Sequence, residues 1–242
     1  MELSGHLSLS KELVLKRELE VIANNLANLN TNAYRAERLV FVEHLVETES
    51  GDKVSFAQGL ATVRDLTEGQ KVNTYNDLDV AISGEGYFEV EGEGASFYTR
   101  DGAFKLNHDA ELVTRHGYRV LDRSGEPIRL FPVEGPVTID ADGTISAGNG
   151  PLGQLKVVRF ADEQSLAKLP GGLYGADGQE PEQAEDFVIQ QGAVETSNVV
   201  GIAEMTRMMQ VTQNYKSAHT LAKEEDERQK KAIQVLGARM MV

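Results

Sequence analysis

The sequence predicts an α+β fold in which N- and C-terminal helices pair as a coiled-coil-like core, with a central antiparallel all-β domain between them along the chain. Three observations carry that expectation. Leu15, Leu19, Ile22, Leu26 and Leu29 recur at alternating spacings of four and three, which is the seam of a coiled-coil helix. Met208, Val211, Tyr215, Ala218 and Ala222 form a similar stripe near the C-terminus, with Ile202, Met205 and Met209 as a neighbouring one. Between the two runs the residues change to strand and turn patterning. Terminal helices with more apolar seam than one helix pair can cover are built to bury the remainder against copies or partners. Assembly, rather than catalysis, is the first expectation.

Along the chain, the first helix is expected from about Leu7 to Leu29, roughly 35 Å at about 1.5 Å per residue. Asn28, Asn30, Thr31 and Asn32 then compete for backbone hydrogen bonds and turn the chain before Tyr34. Leu39 to Val46 holds Val40, Phe41, Val42, Leu45 and Val46 and reads equally as strand or short helix. Val54 to Asn76, thin in apolar residues and carrying Gly59, Gly69 and several Thr, reads as an extended arm with short strands.

A compact all-β region follows. Strands are expected at Leu78 to Ile82, Tyr87 to Val90, Phe97 to Thr99, Ala103 to Leu106, Glu111 to Thr114, Arg119 to Leu121, Ile128 to Leu130, Val137 to Ile139 and Leu155 to Phe160. Asp101-Gly102, Ser124-Gly125, Asp142-Gly143 and Asn149-Gly150 accept the positive φ of tight hairpins, so the region is an antiparallel meander or a partly closed barrel. Pro170 to Glu185 is rich in Gly, Pro, Gln and acid and reads as a surface loop. Ser197-Asn198 offers an N-cap for the last helix, which is expected to run to about Leu236 before Gly237. The mixed charges from Lys223 to Lys231 form a solvated helix face.

Composition narrows the function classes. A chain of 242 residues with 40% hydrophobic content can hold a substantial core. A net charge of -14 argues against nucleic acid or an anionic membrane surface, because both require clustered Lys and Arg to release counterions. With no cysteine, disulfides, thiolate metal sites and a Cys nucleophile are excluded. The opening Met-Glu-Leu-Ser-Gly-His lacks the basic and apolar regions of a removable secretory signal. No stretch approaches the roughly 20 apolar residues that span a bilayer, so direct membrane insertion is not expected, and any export must use another route.

Enzymatic motifs are weak. Gly84-Glu85-Gly86 lacks the third Gly of a dinucleotide fingerprint, Glu89 standing in its place, and no helix pattern follows. Asp140-Ala141-Asp142-Gly143 lacks the later ligands and closing Glu of a calcium loop. His6, His44, His108, His116 and His219 include no i,i+4 pair, so no metal or cofactor is expected. Paired carboxylates could serve a glycan-cleaving hydrolase. A secreted binding or adhesive β module would explain the centre but leave both terminal seams without a role.

The segment Ala23-Asn24-Asn25-Leu26-Ala27-Asn28-Leu29-Asn30-Thr31-Asn32-Ala33-Tyr34-Arg35 resembles the N-terminal signature of the flagellar basal-body rod and hook proteins. Leu78-Asp79-Val80-Ala81-Ile82-Ser83-Gly84-Glu85-Gly86-Tyr87-Phe88, followed by Tyr98-Thr99-Arg100-Asp101-Gly102-Ala103-Phe104, is similar to that family's central domain. Gln191-Gly192-Ala193-Val194-Glu195-Thr196-Ser197-Asn198-Val199, with Glu204-Met205 beyond it, is similar to its C-terminal block. Within the family, the modest length, the Arg35-Ala36-Glu37-Arg38 continuation and the short path to Leu78 are most similar to the proximal rod members.

The resemblance implies a non-enzymatic axial subunit, exported unfolded through the flagellar type III apparatus, in a tubular rod that spans the periplasm. Its partners would be copies of itself and other proximal and distal rod proteins. Residues 1–33 with 197–242 would form the assembly core, 34–77 an extended arm, and 78–196 a β-rich outer domain. The expected assembly interface comprises Leu15, Leu19, Ile22, Asn24, Asn25, Leu26, Asn28, Leu29, Thr31, Ile202, Met205, Met208, Met209, Val211, Tyr215, Ala218 and Ala222. The three asparagines could cap helix carbonyls or bond across a subunit contact. The three methionines suit either adaptable contacts or ordinary core packing. Two departures from the family pattern stand out. Ala33 replaces the usual Gly and costs roughly 1 kcal/mol if that position needs positive φ, and Gln213 replaces an Arg common before the Tyr of the last helix.

Overall fold

The computed structural model describes residues 2–47, 53–92, 94–130, 136–148 and 150–239. The chain forms two compact units, the first from Met1–Ala27, Ala36–Asp65 and Val199–Val242, the second from Asn28–Arg35 and Leu66–Asn198.

The first unit holds two helices and a hairpin. Helix α1 runs Glu2–Ala27, starting earlier than Leu7 and ending before Leu29. The asparagine-rich stretch stops it as the side-chain chemistry requires, and Leu29 is left outside it. The ambiguous segment after Tyr34 is strand, β1 (Glu37–Glu47), paired antiparallel with β2 (Lys53–Arg64) from Glu37↔Arg64 to Glu47↔Lys53, with one irregularity between Val42 and Glu43. A long hairpin therefore stands where short strands are predicted, its two strands in register over nearly their whole length. Leu39 is buried while Arg38 and Val40 face solvent, the period-two pattern of a half-covered strand.

The second unit is antiparallel. Its strands are β3 (Lys71–Asn73), β4 (Val80–Gly84), β5 (Tyr87–Gly92), β6 (Ala95–Thr99), β7 (Phe104–Leu106), β8 (Leu112–Thr114), β9 (Arg119–Val120), β10 (Thr138–Ile139), β11 (Thr144–Ala147) and β12 (Gly150–Gln154). β13 (Val157–Arg159), β14 (Ala167–Leu169), β15 (Leu173–Gly175), β16 (Glu182–Gln183), β17 (Phe187–Gln191) and β18 (Ala193–Glu195) complete it. The main sheet runs β14-β15-β6-β5-β9-β8-β7, with β13 joined to β5 and β16. β10, β11 and β12 form a separate meander. Pro170 to Glu185 is not a plain loop: β15 and β16 lie within it, and β15 pairs Leu173 with Thr99 and Tyr174 with Tyr98. Ile128 to Leu130 contributes an isolated bridge, Glu111↔Arg129, rather than a strand.

Two pairings matter for the ends of this unit. β17 pairs with β4 from Phe187↔Gly84 to Gln191↔Val80, and β18 pairs with β3 from Ala193↔Asn73 to Glu195↔Lys71. The core gathers Val80, Ile82, Phe88, Val90, Leu112 and Ile145, with a second aromatic cluster of Tyr87, Tyr98, Phe160 and Tyr174. Edge-to-face contacts of 4.8 Å between Tyr98 and Phe160 and 5.4 Å between Tyr87 and Tyr174 hold the second cluster. Gly125 and Gly143 take the positive φ that their hairpins need, whereas Asn149 lies outside the described residues. Gly102 serves another purpose. Its backbone runs so close to β4 that a Cβ there would sit 1.9 Å from the Val80 carbonyl oxygen.

The last helix, α2, runs Gly201–Arg239 and passes through Gly237 without stopping. A single Gly costs only about 1 kcal/mol in a helix interior. Among the described residues no helix is long and apolar enough to cross a membrane.

Candidate assembly interface

In the first unit the two helices pack along part of the predicted seam. Leu15 and Ile22 of α1 are buried together with Val211 and Ala218 of α2, and Leu19, Met208 and Tyr215 pack against them. Each fully buried Leu or Ile side chain contributes about 1.5 to 3 kcal/mol, so this cluster favours pairing over separation. Polar groups flank it: Arg207 donates to Glu18 at 2.9 Å, and the His219 imidazole meets Glu12 at 3.0 Å. The His219 contact, then the Tyr215 hydroxyl, lowers the pKa of the Glu12 carboxyl.

The neighbouring stripe is uncovered. Ile202, Met205 and Met209 are 82%, 51% and 67% exposed. Leu26 and Ala222 are half-buried, and Asn24 is exposed. Asn28, Leu29 and Thr31 belong to the second unit, where all three are half-buried and the Thr31 hydroxyl donates to the Asn28 side chain at 3.1 Å. Gln213 is exposed, beside Met208, Met209, Thr212 and Lys216 in a shallow groove on α2.

Asn25 has a use that helical periodicity does not reveal. It is 1% exposed, and its amide meets β1 in both directions: Nδ2 donates to the Glu37 carbonyl at 2.8 Å and Oδ1 accepts from the Glu37 N–H at 2.9 Å. Its Nδ2 also lies 3.5 Å from the Glu204 carboxylate on α2. One side chain thereby fastens α1, β1 and α2 within the first unit.

The second unit contains a site that neither periodicity nor a catalytic motif announces. Glu195, at the end of β18, has a fully buried side chain. Its Oε1 pairs with Arg35 Nη1 at 2.9 Å and accepts from the Gly69 N–H at 2.9 Å, while Oε2 accepts from Arg100 Nε at 3.0 Å. Arg100 also donates to the carbonyls of Gly84 and Gly86 at 3.0 and 2.9 Å. Arg35 donates to the Thr67 carbonyl. Glu68 adds a second carboxylate 3.5 Å from Arg100, and it accepts from Lys71 and from the Gly84 N–H, both at 2.7 Å. Burial pushes the Glu68 carboxyl up, but Lys71 and the Gly84 N–H outweigh it and leave its pKa lowered.

Glu195 lies between two buried arginines, and the partly exposed Glu68 and Lys71 extend the cluster outward, so each buried charge has a partner of opposite sign, as burial requires. Gly69 is needed here because a Cβ would meet the Thr196 carbonyl oxygen at 1.9 Å. Ala33 donates its N–H to the Glu195 carbonyl at 2.9 Å and has φ of 54°, so the position does demand the left-handed region.

All three principal members, Arg35, Arg100 and Glu195, fall inside the segments that carry the family resemblance. Sequence reasoning assigned them no role, because an Arg or Glu on its way to burial looks the same as one on the surface. The usable signal was their coincidence: each conspicuous block supplied one charged residue.

Comparison with known proteins identifies the blocks in which these residues lie. Residues 15–35 match the family described as flagella basal body rod protein, 81–147 the flagellar hook protein FlgE/F/G D1 domain, and 190–235 the flagellar basal body rod FlgEFG protein C-terminal region. The chain is 34% identical to a flagellar basal-body rod protein FlgF of Caulobacter vibrioides, covering 98% of this chain and 99% of that one. It is 33% identical to a FlgF of Mesorhizobium japonicum, covering 99% and 100%. A FlgG of Agrobacterium fabrum is 33% identical over 81% of this chain and 85% of its own. The relatives are named as flagellar basal-body rod proteins, which favours the rod-subunit reading over the glycan-cleaving and adhesive ones. With 34% identity to such a protein over 98% of the chain, and matches to the family at both ends and in the centre, the chain belongs to the flagellar basal-body rod protein family.

Proposed function

We propose that this structural rod subunit works in the proximal rod, where its terminal helices pair as a coiled coil and bury their remaining apolar surface against copies of the chain and against other proximal and distal rod proteins. Residues 1–33 and 197–242 form the assembly core in this reading. The subunit reaches the periplasm-spanning rod through the flagellar type III export apparatus and passes torque from motor to hook. The observation that supports it is the division of the α2 apolar surface into a covered seam and an open stripe, Ile202, Met205 and Met209. A monomeric protein gains nothing from leaving three large apolar side chains in line on one helix, whereas a subunit needs them.

Replacing Ile202 and Met205 together by Glu tests the reading. The purified variant is expected to keep its helix content and tyrosine signal and to be missing from isolated basal bodies. Incorporation equal to the parent chain would refute the assembly role of the stripe.

A further inference from the structure

The chain passes between its two units four times, after Ala27, Arg35, Asp65 and Asn198. In the second unit, the segments beside those passages meet at Glu195. The segment 28–35, leaving α1, supplies Arg35 and the Ala33 N–H. The segment that returns from the β1–β2 hairpin supplies the Gly69 N–H and the Thr67 and Gln70 carbonyls. The segment that leads to α2 supplies Glu195 itself, Thr196 and Asn198. Thr196 donates its N–H to the Gln70 carbonyl at 2.8 Å, Asn198 donates its N–H to the Tyr34 carbonyl at 3.2 Å, and the Asn198 amide donates to the Thr67 carbonyl at 2.9 Å.

We propose that the Arg35–Glu195–Arg100 cluster is a coupling clasp that makes these three segments open and close as one, so that the root of α1 and the root of α2 cannot loosen separately. The reason is electrostatic. Peeling away 28–35 strips Glu195 of one guanidinium, peeling away 66–71 strips it of an N–H and strips Arg35 of a carbonyl, and peeling away 195–198 leaves two arginines without their shared anion. Each partial opening leaves a buried charge poorly compensated, which is costly, whereas joint opening lets water reach every member. The intermediate states are therefore depleted and the opening is concerted. The consequence for a rod, that a disturbance at one terminal helix reaches the root of the other, rests on the rod-subunit reading, but the clasp itself does not.

Native-state hydrogen exchange on the full-length chain tests it without any substitution. The amides of Ala33, Gly69, Thr196 and Asn198 are expected to share one opening, with the same protection and the same dependence on denaturant, distinct from the core amides of β5. Four separate openings would overturn the proposal. A mild variant gives a second reading: Asn198→Ala removes a bond to the Thr67 carbonyl and leaves both arginines and Glu195 unsubstituted. Coupling predicts that exchange at Ala33 and Gly69 rises in step with Thr196, by about tenfold. A rise confined to Thr196 and its neighbours would show the segments to be independent. Neither result depends on rod incorporation, so failure here leaves the assembly reading standing, and the converse.

Discussion

Arg35 and Glu195 lie 160 residues apart in sequence and 2.9 Å apart in space, with side chains 3% and 0% exposed. The pair joins the end of the first signature block to the middle of the last. A buried ion pair is weak grounds for stability by itself, because desolvation offsets most of the attraction, but removing one partner leaves a charge without compensation. Glu195→Ala leaves Arg35 without a carboxylate and Arg100 with only Glu68, 3.5 Å away. The variant is expected to lose about 3 to 5 kcal/mol in the second unit, read as a fall in the urea midpoint of the near-ultraviolet tyrosine signal. A change under about 0.5 kcal/mol, the usual range of surface substitutions, would mean that the cluster is not the keystone of that unit.

Ala33 sits at φ 54° with its N–H committed to Glu195. Left-handed backbone costs an L-residue roughly 1 to 2 kcal/mol, and Gly brings back about 0.5 to 1 kcal/mol of chain entropy to be lost on folding. Ala33→Gly is therefore expected to stabilise the second unit by about 0.5 to 1 kcal/mol, measured by the same urea transition. A destabilised variant would show that the buried methyl group outweighs the backbone strain.

Asn25 satisfies both backbone groups of Glu37 from a buried position. Asn25→Leu keeps the branched shape, in a somewhat larger side chain, and abandons both bonds. Leaving a buried donor and acceptor unpaired costs about 1 to 3 kcal/mol each, so the helix signal of the first unit should melt at lower temperature by several degrees. The tyrosine transition of the second unit should stay unchanged. Loss of both transitions together would contradict the division into two units.

The Glu12 carboxyl has its pKa lowered from 4.5, first by the His219 contact and then by Tyr215. Its sign follows from linkage: a depressed folded pKa gives stabilisation that is present above the unfolded value and lost as pH falls through the folded value. Thermal melts of the helix signal between pH 6 and pH 3 should show the parent chain losing more stability than Glu12→Gln. The site is exposed, so the difference is small and should shrink further in high salt. Equal acid sensitivity of the two chains would remove Glu12 from the account.

Much of the fold was legible in sequence, and the reason is periodicity. Leu15, Leu19 and Ile22 announce a helix by spacing alone, and most of the strands from β4 to β13 follow from alternating apolar runs between turn residues. Leu39 to Val46 stayed ambiguous, because a short run of Val and Leu fits strand and helix alike. Its partner, β2, was legible only as short strands within an extended arm, because its length is set by pairing with β1 from Glu37↔Arg64 to Glu47↔Lys53, which local spacing does not show. The strands β15 and β16 hid inside a Gly-rich and Pro-rich stretch for the same reason: Leu173 and Tyr174 acquire their strand only by meeting Thr99 and Tyr98.

By itself, then, the sequence determined the two helices with their apolar stripes, the antiparallel centre and the family, since these depend on local spacing and on recognisable blocks. Only the tertiary structure decided which apolar residues are covered, that Asn25 clasps Glu37, and that Arg35, Arg100 and Glu195 share one buried site. The physical reason is that burial and charge pairing are properties of neighbours distant in sequence: a guanidinium is an ordinary surface group until the fold removes its water and sets a carboxylate in its place.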